Sequence, residues 1–370
     1  MTLKQLTIHN FKNISETQLD FSPKVNCFLG NNGMGKSNLL DAIYFLSFCK
    51  SFSGVQDSLL IKQGEDFCMA RGLYQRRGIE EDISIGMANG KRKSLKRKGK
   101  EYDRLSSHIG LFPLVLISPQ DSDLIKGGSE ERRRLMDMVI SQSDRTYLDH
   151  LIRYNKALEN RNKMLRDGVV DHSLYLAIEM SMDFAAQYIH QARSKWVEQL
   201  TDIFARYYRV IAGSDETICL SYRSSLNTEG ISLQQLLDDA RRHDEIVKYT
   251  SVGIHRDDID MSLNNMPVRK TASQGQCKTY TIALRLAQYD FLCKSSNMHP
   301  ILLLDDIFDK LDASRVERIM TVVEDDQFGQ IFITDTNRTH LDEIMQRTGG
   351  HYSMWEVANG TFTPIQHPQQ

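Results

Sequence analysis

The sequence predicts an α/β fold with a mainly helical lobe inserted into it. Three observations carry this. A short apolar run, Val25 to Leu29, leads into the glycine-rich loop Gly30–Ser37 and then into apolar residues at helical spacing. A second apolar run, Ile301 to Leu304, ends in the acids Asp305 and Asp306. Between them, from about 121 to 212, Pro and Gly are nearly absent after Gly128, apart from Gly168. Strands that alternate with helices imply a parallel sheet, and a long stretch free of breakers implies packed helices.

In chain order, Leu3, Leu6 and Ile8 alternate as an opening strand. Leu39, Leu40, Ile43, Tyr44 and Leu46 form the helix after the loop, and strands with Gly-containing turns fill about 67–117. Tyr147, Leu148, Leu151, Ile152, Leu158, Met164 and Leu165 fit one helix, and a longer one runs from Leu174 to Ile211. Strands return at Ile218–Tyr222 and Ile259–Val268, with Asn264-Asn265 as a hairpin turn, and the last 100 residues alternate helix and strand. The final HPQQ is expected to be loose. The expected division is an α/β lobe from 1–120 and 250–370, interrupted by a helical lobe from 121–249.

Composition sets limits. The chain has 370 residues, 41% hydrophobic and 25% charged, at a formal net charge of −2. Any contact with nucleic acid must therefore come from local basic patches. No apolar run of about 18 residues marks a membrane span, and the opening MTLKQLTIHNF lacks a signal-peptide core. The six cysteines are scattered, with no CxxC pair, which predicts reduced thiols in a cytoplasmic protein.

Gly30-Asn31-Asn32-Gly33-Met34-Gly35-Lys36-Ser37 matches G-x-x-x-x-G-K-[ST], in the strand–loop–helix context the motif requires. Its glycines let backbone N–H groups point at phosphate oxygens. Lys36 would reach the β- and γ-phosphates, Ser37 would offer a hydroxyl to Mg²⁺, and the helix adds its positive end. Asp305, at the carboxyl edge of a buried parallel strand, fits the acid that holds Mg²⁺. Asp306 is placed to orient or deprotonate the attacking water. ATP with Mg²⁺ is the cofactor set this pattern implies.

Ser273-Gln274-Gly275-Gln276 opens another helical run. It reads either as a simple N-cap or as a second phosphate-binding turn. In ABC-type ATPases an S-x-G-Q loop before the Walker B strand binds the nucleotide held by the other subunit. Asp309-Lys310-Leu311-Asp312 resembles that family's D-loop. The strand Ile331–Thr336 ends where such proteins keep a switch residue, with Thr334 or Thr336 in place of the usual histidine. The order and spacing of these motifs identify an ABC-type ATPase head.

Further stretches resemble the RecF family along nearly the whole chain. They are Leu6–Asn13, Gly30–Asn38, Ser118–Asp121, Leu124–Gly127, Arg132–Arg134, the set Tyr154, Leu158, Arg161 and Asn162, and Gly253–Asp258. Departures are Ile254 for a proline, Gln120 for an acid and Ser53 where an arginine is usual. The resemblance implies a weak, DNA-stimulated ATPase whose homodimer closes around ATP on DNA. Duplex and single-strand gap junctions would be bound without sequence preference. RecO and RecR would be its partners in loading RecA during recombinational repair.

The segment KRKSLKRKGK, residues 91–100, carries seven basic residues and follows the turn signal Asn89-Gly90. It fits a phosphate-contacting hairpin tip and equally a lysine-protected sheet edge. Arg132–Arg134, Arg153, Lys156, Arg161 and Lys163 are further candidates for DNA contact, with intrahelical pairing to Glu130 and Glu131 as the alternative. His255 and Arg256 fit a ligand contact or pairing with Asp257 and Asp258. Competing functions are weaker. A transporter subunit lacks a reason for the large insert, a long-armed SMC-type tether needs far more chain between Lys36 and Asp305, and a P-loop nuclease or kinase leaves the S-x-G-Q loop unused.

Overall fold

The structure is a computed structural model that describes residues 1–227, 230–308, 311–324, 327–339, 342 and 352–365. Asp309 and Lys310 of the D-loop stretch, and the terminal HPQQ, lie outside the described residues. The chain forms two compact units, residues 1–121 with 288–370 and residues 122–287.

The first half of unit 1 contains β1 (Thr2–Phe11), β2 (Ile14–Asp20), β3 (Val25–Leu29), α1 (Lys36–Phe48), β4 (Phe67–Arg76), β5 (Ile79–Ala88), β6 (Ser94–Arg97), β7 (Lys100–Glu101) and β8 (Leu114–Ile117). Unit 2 follows with α2 (Ser122–Lys126), α3 (Ser129–Ser143), α4 (Arg145–Asp167), α5 (His172–Ala212), β9 (Ile218–Arg223), α6 (Leu233–Val247), β10 (Asp258–Leu263), β11 (Met266–Pro267), α7 (Val268–Thr271) and the first part of α8 (Gln274–Ser296), whose residues from Gln288 onward belong to unit 1. The chain then returns through β12 (Ile301–Asp305), α9 (Ala313–Glu324), β13 (Ile331–Asp335), β14 (Tyr352–Ala358) and β15 (Thr361–Pro364).

Among the described residues, unit 1 holds two six-stranded sheets, ordered β2-β1-β4-β5-β6-β7 and β15-β14-β3-β13-β12-β8. The first is antiparallel. In the second, β14, β3, β13, β12 and β8 run parallel, with β15 antiparallel at one edge. Helix α1 packs on strands of both sheets. Its residues from Leu39 to Phe48 are all buried, as a helix covered on every side must be. The parallel strands β3, β12 and β13 are likewise buried along nearly their whole length, and mostly apolar, because both faces are covered.

Unit 2 is mainly helical. Helix α5 has 41 residues, and α4 packs along it. Asp144 caps α4 by accepting from the Tyr147 amide, and Ser232 caps α6 by accepting from that of Gln235. Residues 250–287, which the sequence reading placed with the α/β lobe, belong to unit 2. Their strand β10 pairs with β9, bringing Ile259 opposite Tyr222. Asn264 and Asn265 take left-handed φ values of 50° and 61°, the geometry of a tight hairpin turn. The strand expected to reach Val268 ends earlier, at Pro267, which has no N–H to continue a ladder, and Val268 begins α7 instead.

Of the six cysteines, Cys27, Cys49 and Cys68 are buried, and burial pushes each thiol up to about 12. Cys219 is exposed and Cys277 and Cys293 are half-buried, so core packing accounts for three of the six. Among the described residues, no helix is long and apolar enough to cross a membrane.

Candidate functional site

The parallel register sets the site. Thr334 of β13 lies opposite Asp305 of β12 on one side and Phe28 of β3 on the other. The carboxyl ends of three adjacent strands therefore meet the loop that follows β3, where open α/β sheets bind their ligands. Gly35 precedes α1 with φ of 113°, a conformation that L side chains rarely adopt. Among the described residues no side chain caps α1, which leaves its first backbone amides as donors toward the loop.

Lys36 is almost fully buried, and its Nζ donates to the carbonyl oxygens of Gly30 (2.8 Å) and Asn31 (3.2 Å). The Asp306 carboxylate lies 3.8 Å from the same ammonium. Ser37 Oγ and Thr334 Oγ1 each donate to Asp305 Oδ1, both at 2.8 Å. Burial raises the Asp305 carboxyl above the ordinary range, opposed by the bonds from Thr334 and Ser37. Asp306 takes a left-handed φ of 45°, and its N–H is shared between the Thr334 carbonyl (3.2 Å) and hydroxyl (3.1 Å). A non-glycine residue held there by a buried threonine carries strain of the kind found at functional sites.

The predicted residues of unit 1 are thus brought together: the loop Gly30, Asn31, Asn32, Gly33, Met34 and Gly35, then Lys36, Ser37, Asp305, Asp306 and Thr334. Asn38 donates to Asn13 Oδ1 at 2.8 Å, so it braces the loop from behind. Thr334 is fully buried and bonds the Asp305 carboxylate and the Asp306 amide, whereas Thr336 is exposed past the end of β13. Asp312 accepts from the Arg315 amide at 2.9 Å and caps α9.

In unit 2, Ser273 and Gln276 form a reciprocal capping box. The Ser273 amide donates to Gln276 Oε1 (2.8 Å) and the Gln276 amide to Ser273 Oγ (3.2 Å). Gln276 Nε2 also donates to Glu216 Oε1 at 2.5 Å. Gln274 and Gly275, between them, lie at the positive end of a 23-residue helix. The capping reading and the anion-binding reading therefore use different atoms of one turn.

The basic residues divide sharply. In the 91–100 hairpin, Lys93 pairs with Asp57 (2.7 Å) and Arg97 chelates Glu81 (2.9 and 2.6 Å). Lys91, Arg92, Lys96 and Lys100 point outward. The hairpin ends in β7 at the sheet edge, so the two sequence readings share one object. On the helical lobe, three candidates for DNA contact are taken up internally. Arg132 chelates Asp258 (2.6 and 3.0 Å), Arg133 donates to the Asp257 carbonyl (2.7 Å), and Arg161 is fully buried between Glu179 (2.8 Å) and Asp244 (2.7 Å). Arg134 pairs with Glu130 and Glu131 within its helix, and Lys156 with Glu159. Arg153 lies over the Phe184 ring, and Lys163 is exposed.

His255 and Arg256 follow the structural reading with other partners than expected. His255 bonds Tyr154 Oη (2.8 Å) and the Thr250 carbonyl (3.0 Å), and burial lowers its pKa to about 4. Arg256 lies over the Tyr249 ring. Asp257 is bound instead by buried Arg193 (3.0 Å), and Asp258 by Arg132.

Comparison with known proteins fits this architecture. Residues 2–358 match the RecF/RecN/SMC N-terminal domain. The DNA replication and repair protein RecF of Parabacteroides distasonis is 52% identical, over 99% of this chain and 100% of that protein. The chain belongs to the RecF family. The RecF of Bacteroides fragilis is 48% identical over the full length of both chains. The solved structure of the recombination mediator protein RecF-ATP in the RecFOR pathway superposes with a TM-score of 0.89 at 28% identity, covering 99% and 98% of the two chains. A Pyrococcus furiosus Smc head domain superposes with a TM-score of 0.58 at 16% identity, which bears on fold alone. The RecF fold is that of an ABC-type ATPase head, as the motif order predicts, and the protein is a RecF-type DNA replication and repair protein.

Asn13, Val357 and Gly360 also lie against the phosphate loop or its neighbouring turn, and no site motif in the sequence contains Val357 or Gly360. The Asn359-Gly360 pair between Val357 and Phe362 is a hairpin signal of the strongest kind, and it was readable.

Proposed function

We propose that this RecF-family chain is an ATP-dependent clamp that dimerises around ATP on DNA, with unit 1 as its nucleotide-binding lobe and unit 2 as the helical lobe carrying the signature turn. The observation that carries the reading is the cluster at the carboxyl ends of β3, β12 and β13. There Lys36 is held by carbonyl oxygens, which cost little to exchange for phosphate. ATP in the solved RecF relative supports the ligand.

The donor set fits Mg²⁺. Ser37 Oγ and Asp305 Oδ1 are hard oxygen ligands already 2.8 Å apart. Bound there, the ion would neutralise charge on the phosphate oxygens. Lys36 leaves the Gly30 and Asn31 carbonyls for the β- and γ-phosphates, and the loop amides take the remaining oxygens. Thr334 keeps Asp305 and Asp306 in register. Asp306 orients and deprotonates the attacking water. In the closed dimer, Ser273, Gln274, Gly275 and Gln276 meet the γ-phosphate of the partner's nucleotide, and Asp312 with the D-loop lies along the interface.

DNA is bound through its backbone, without sequence preference, by exposed cations including those of the 91–100 hairpin. By family resemblance, RecO and RecR are the partners at gapped DNA, where the clamp helps to load RecA. The test is ATP turnover with and without gapped duplex. Slow hydrolysis that rises with DNA and disappears in Lys36→Ala supports the reading. Turnover indifferent to both would remove it.

A further inference from the structure

The phosphate loop is held by parts of the chain that lie far from it in sequence. Strand β14 runs beside β3, with Glu356 opposite Leu29. At Gly30 the approach is so close that a Cβ would lie 2.4 Å from the Val357 carbonyl oxygen. The β14–β15 hairpin turns at Asn359 and Gly360, with φ of 50° and 77°. There the Gly360 N–H donates to the Met34 carbonyl at 2.8 Å. A Cβ on Gly360 would lie 2.5 Å from the Asn13 carbonyl oxygen, in the β1–β2 turn. The Asn13 side chain in turn sits under Gly35, 2.9 Å from where its Cβ would be, and accepts from Asn38. The two hairpin tips thus hold the Met34–Gly35 end of the loop and strand β14 holds its Gly30 end, while among the described residues nothing within 4 Å faces a Cβ on Gly33.

We propose that the C-terminal hairpin Tyr352–Pro364 is a wall of the nucleotide site, with Gly360 and Asn13 as positioning residues that hold the loop in its anion-binding curl. The inference rests on reading Gly30–Ser37 as a triphosphate site. A loop fixed before binding loses less freedom when phosphate arrives, so the hairpin contributes affinity without touching ligand. Linkage is reciprocal: if the hairpin favours bound triphosphate, bound triphosphate stabilises the hairpin by the same amount. Anything that lifts the last strands of the chain would then weaken nucleotide binding.

A matched pair of glycines separates this role from generic turn strain. Gly78, in the β4–β5 turn, has the same φ of 77°, but no described residue lies within 4 Å of its Cβ position. Gly78→Ala carries the left-handed cost alone. Gly360→Ala adds the collision with Asn13 and the displacement of the Met34 bond. In the full-length protein with Mg²⁺, Gly360→Ala should weaken binding of a fluorescent ATP analogue by about tenfold and raise KM more than it lowers kcat. Gly78→Ala should change both by less than about twofold. If Gly360→Ala does not fold, Asn13→Ala provides the same readout. Hydrogen exchange on the wild type adds a second measurement, in which Mg-ATP should slow the amides of 352–364. Equal affinities for the two alanine variants, wild-type affinity in Asn13→Ala, or no ATP-dependent protection of the hairpin would overturn the proposal. A wild-type protein that does not bind ATP would sink the parent reading instead, which keeps the two failures distinct.

Discussion

Buried cations in the two units are held in opposite ways at Arg161 and Arg193 on one side and at Lys36 on the other. In unit 2, Arg161 and Arg193 are buried, and each is bound by two carboxylates and further oxygens from different helices and loops. In unit 1, the buried ammonium of Lys36 rests on two loop carbonyls and a carboxylate 3.8 Å away. A charge saturated by fixed acids is structural, since no ligand can better its partners. A charge held by neutral carbonyls is poised, because a phosphate can. Asn13, Asp305 and Asp306 of unit 1 accordingly lie against the phosphate loop or its helix, whereas Arg132 and Arg161 of unit 2 are bound to carboxylates of their own unit.

The sharpest way to break this comparison is to remove one charge from each side. Lys36→Ala should lower ATP turnover by at least about a hundredfold with little change in unfolding free energy. Arg161→Ala should do the reverse. It leaves Glu179 and Asp244 buried without their cation and should cost about 3–5 kcal/mol by chemical denaturation. A stable Arg161→Ala protein that had lost ATP binding would invert the assignment.

A smaller effect comes from His108 of unit 1. It is fully buried against Phe112 with Nε2–H on the Leu46 carbonyl, and burial lowers its pKa to about 4. Its unfolded form has the higher pKa and takes up the proton first as pH falls. The stability this group contributes is complete above about pH 6.5 and is lost progressively toward pH 4, up to about 3 kcal/mol. Thermal unfolding across that range should show a steeper acid loss in wild type than in His108→Gln. Parallel curves would contradict the assignment.

The mildest change is expected at the basic hairpin. Replacing Lys91, Arg92, Lys96 and Lys100 with Ala should reduce the salt dependence of DNA binding by up to about 0.9 in slope per lost phosphate contact and leave ATP binding intact. Replacing Lys93 and Arg97 should destabilise the sheet edge instead. An unchanged salt slope in the fourfold variant would leave edge protection as the hairpin's role.

These contrasts also explain what the sequence made legible. The Gly30–Ser37 loop and the Ile301–Asp306 strand are local patterns whose chemistry lies within a few consecutive residues, so the site was readable before any contact was known. The hydrophobic period likewise marked α4 and α5 almost to their ends. Pairings across long separations were not readable. Arg132 and Arg161 look like surface cations on a helix until Asp258 and Asp244 are brought to them through the fold. Nor does any local pattern say that β14 will lie beside β3, which is what makes Gly360 part of the loop's wall. The extent of unit 2 was obscured in the same way, because the β9–β10 pairing joins residues on either side of α6.

The central claim, an ATP-driven sandwich of two chains, is tested most directly by analytical ultracentrifugation with Mg²⁺, with and without ATP. The samples are wild type, Asp306→Asn and Ser273→Arg. The account predicts a monomer-to-dimer shift on adding ATP, strengthened in Asp306→Asn and abolished in Ser273→Arg although that variant still binds ATP. Monomers throughout despite demonstrated ATP binding, or a Ser273→Arg protein that dimerises like wild type, would contradict it.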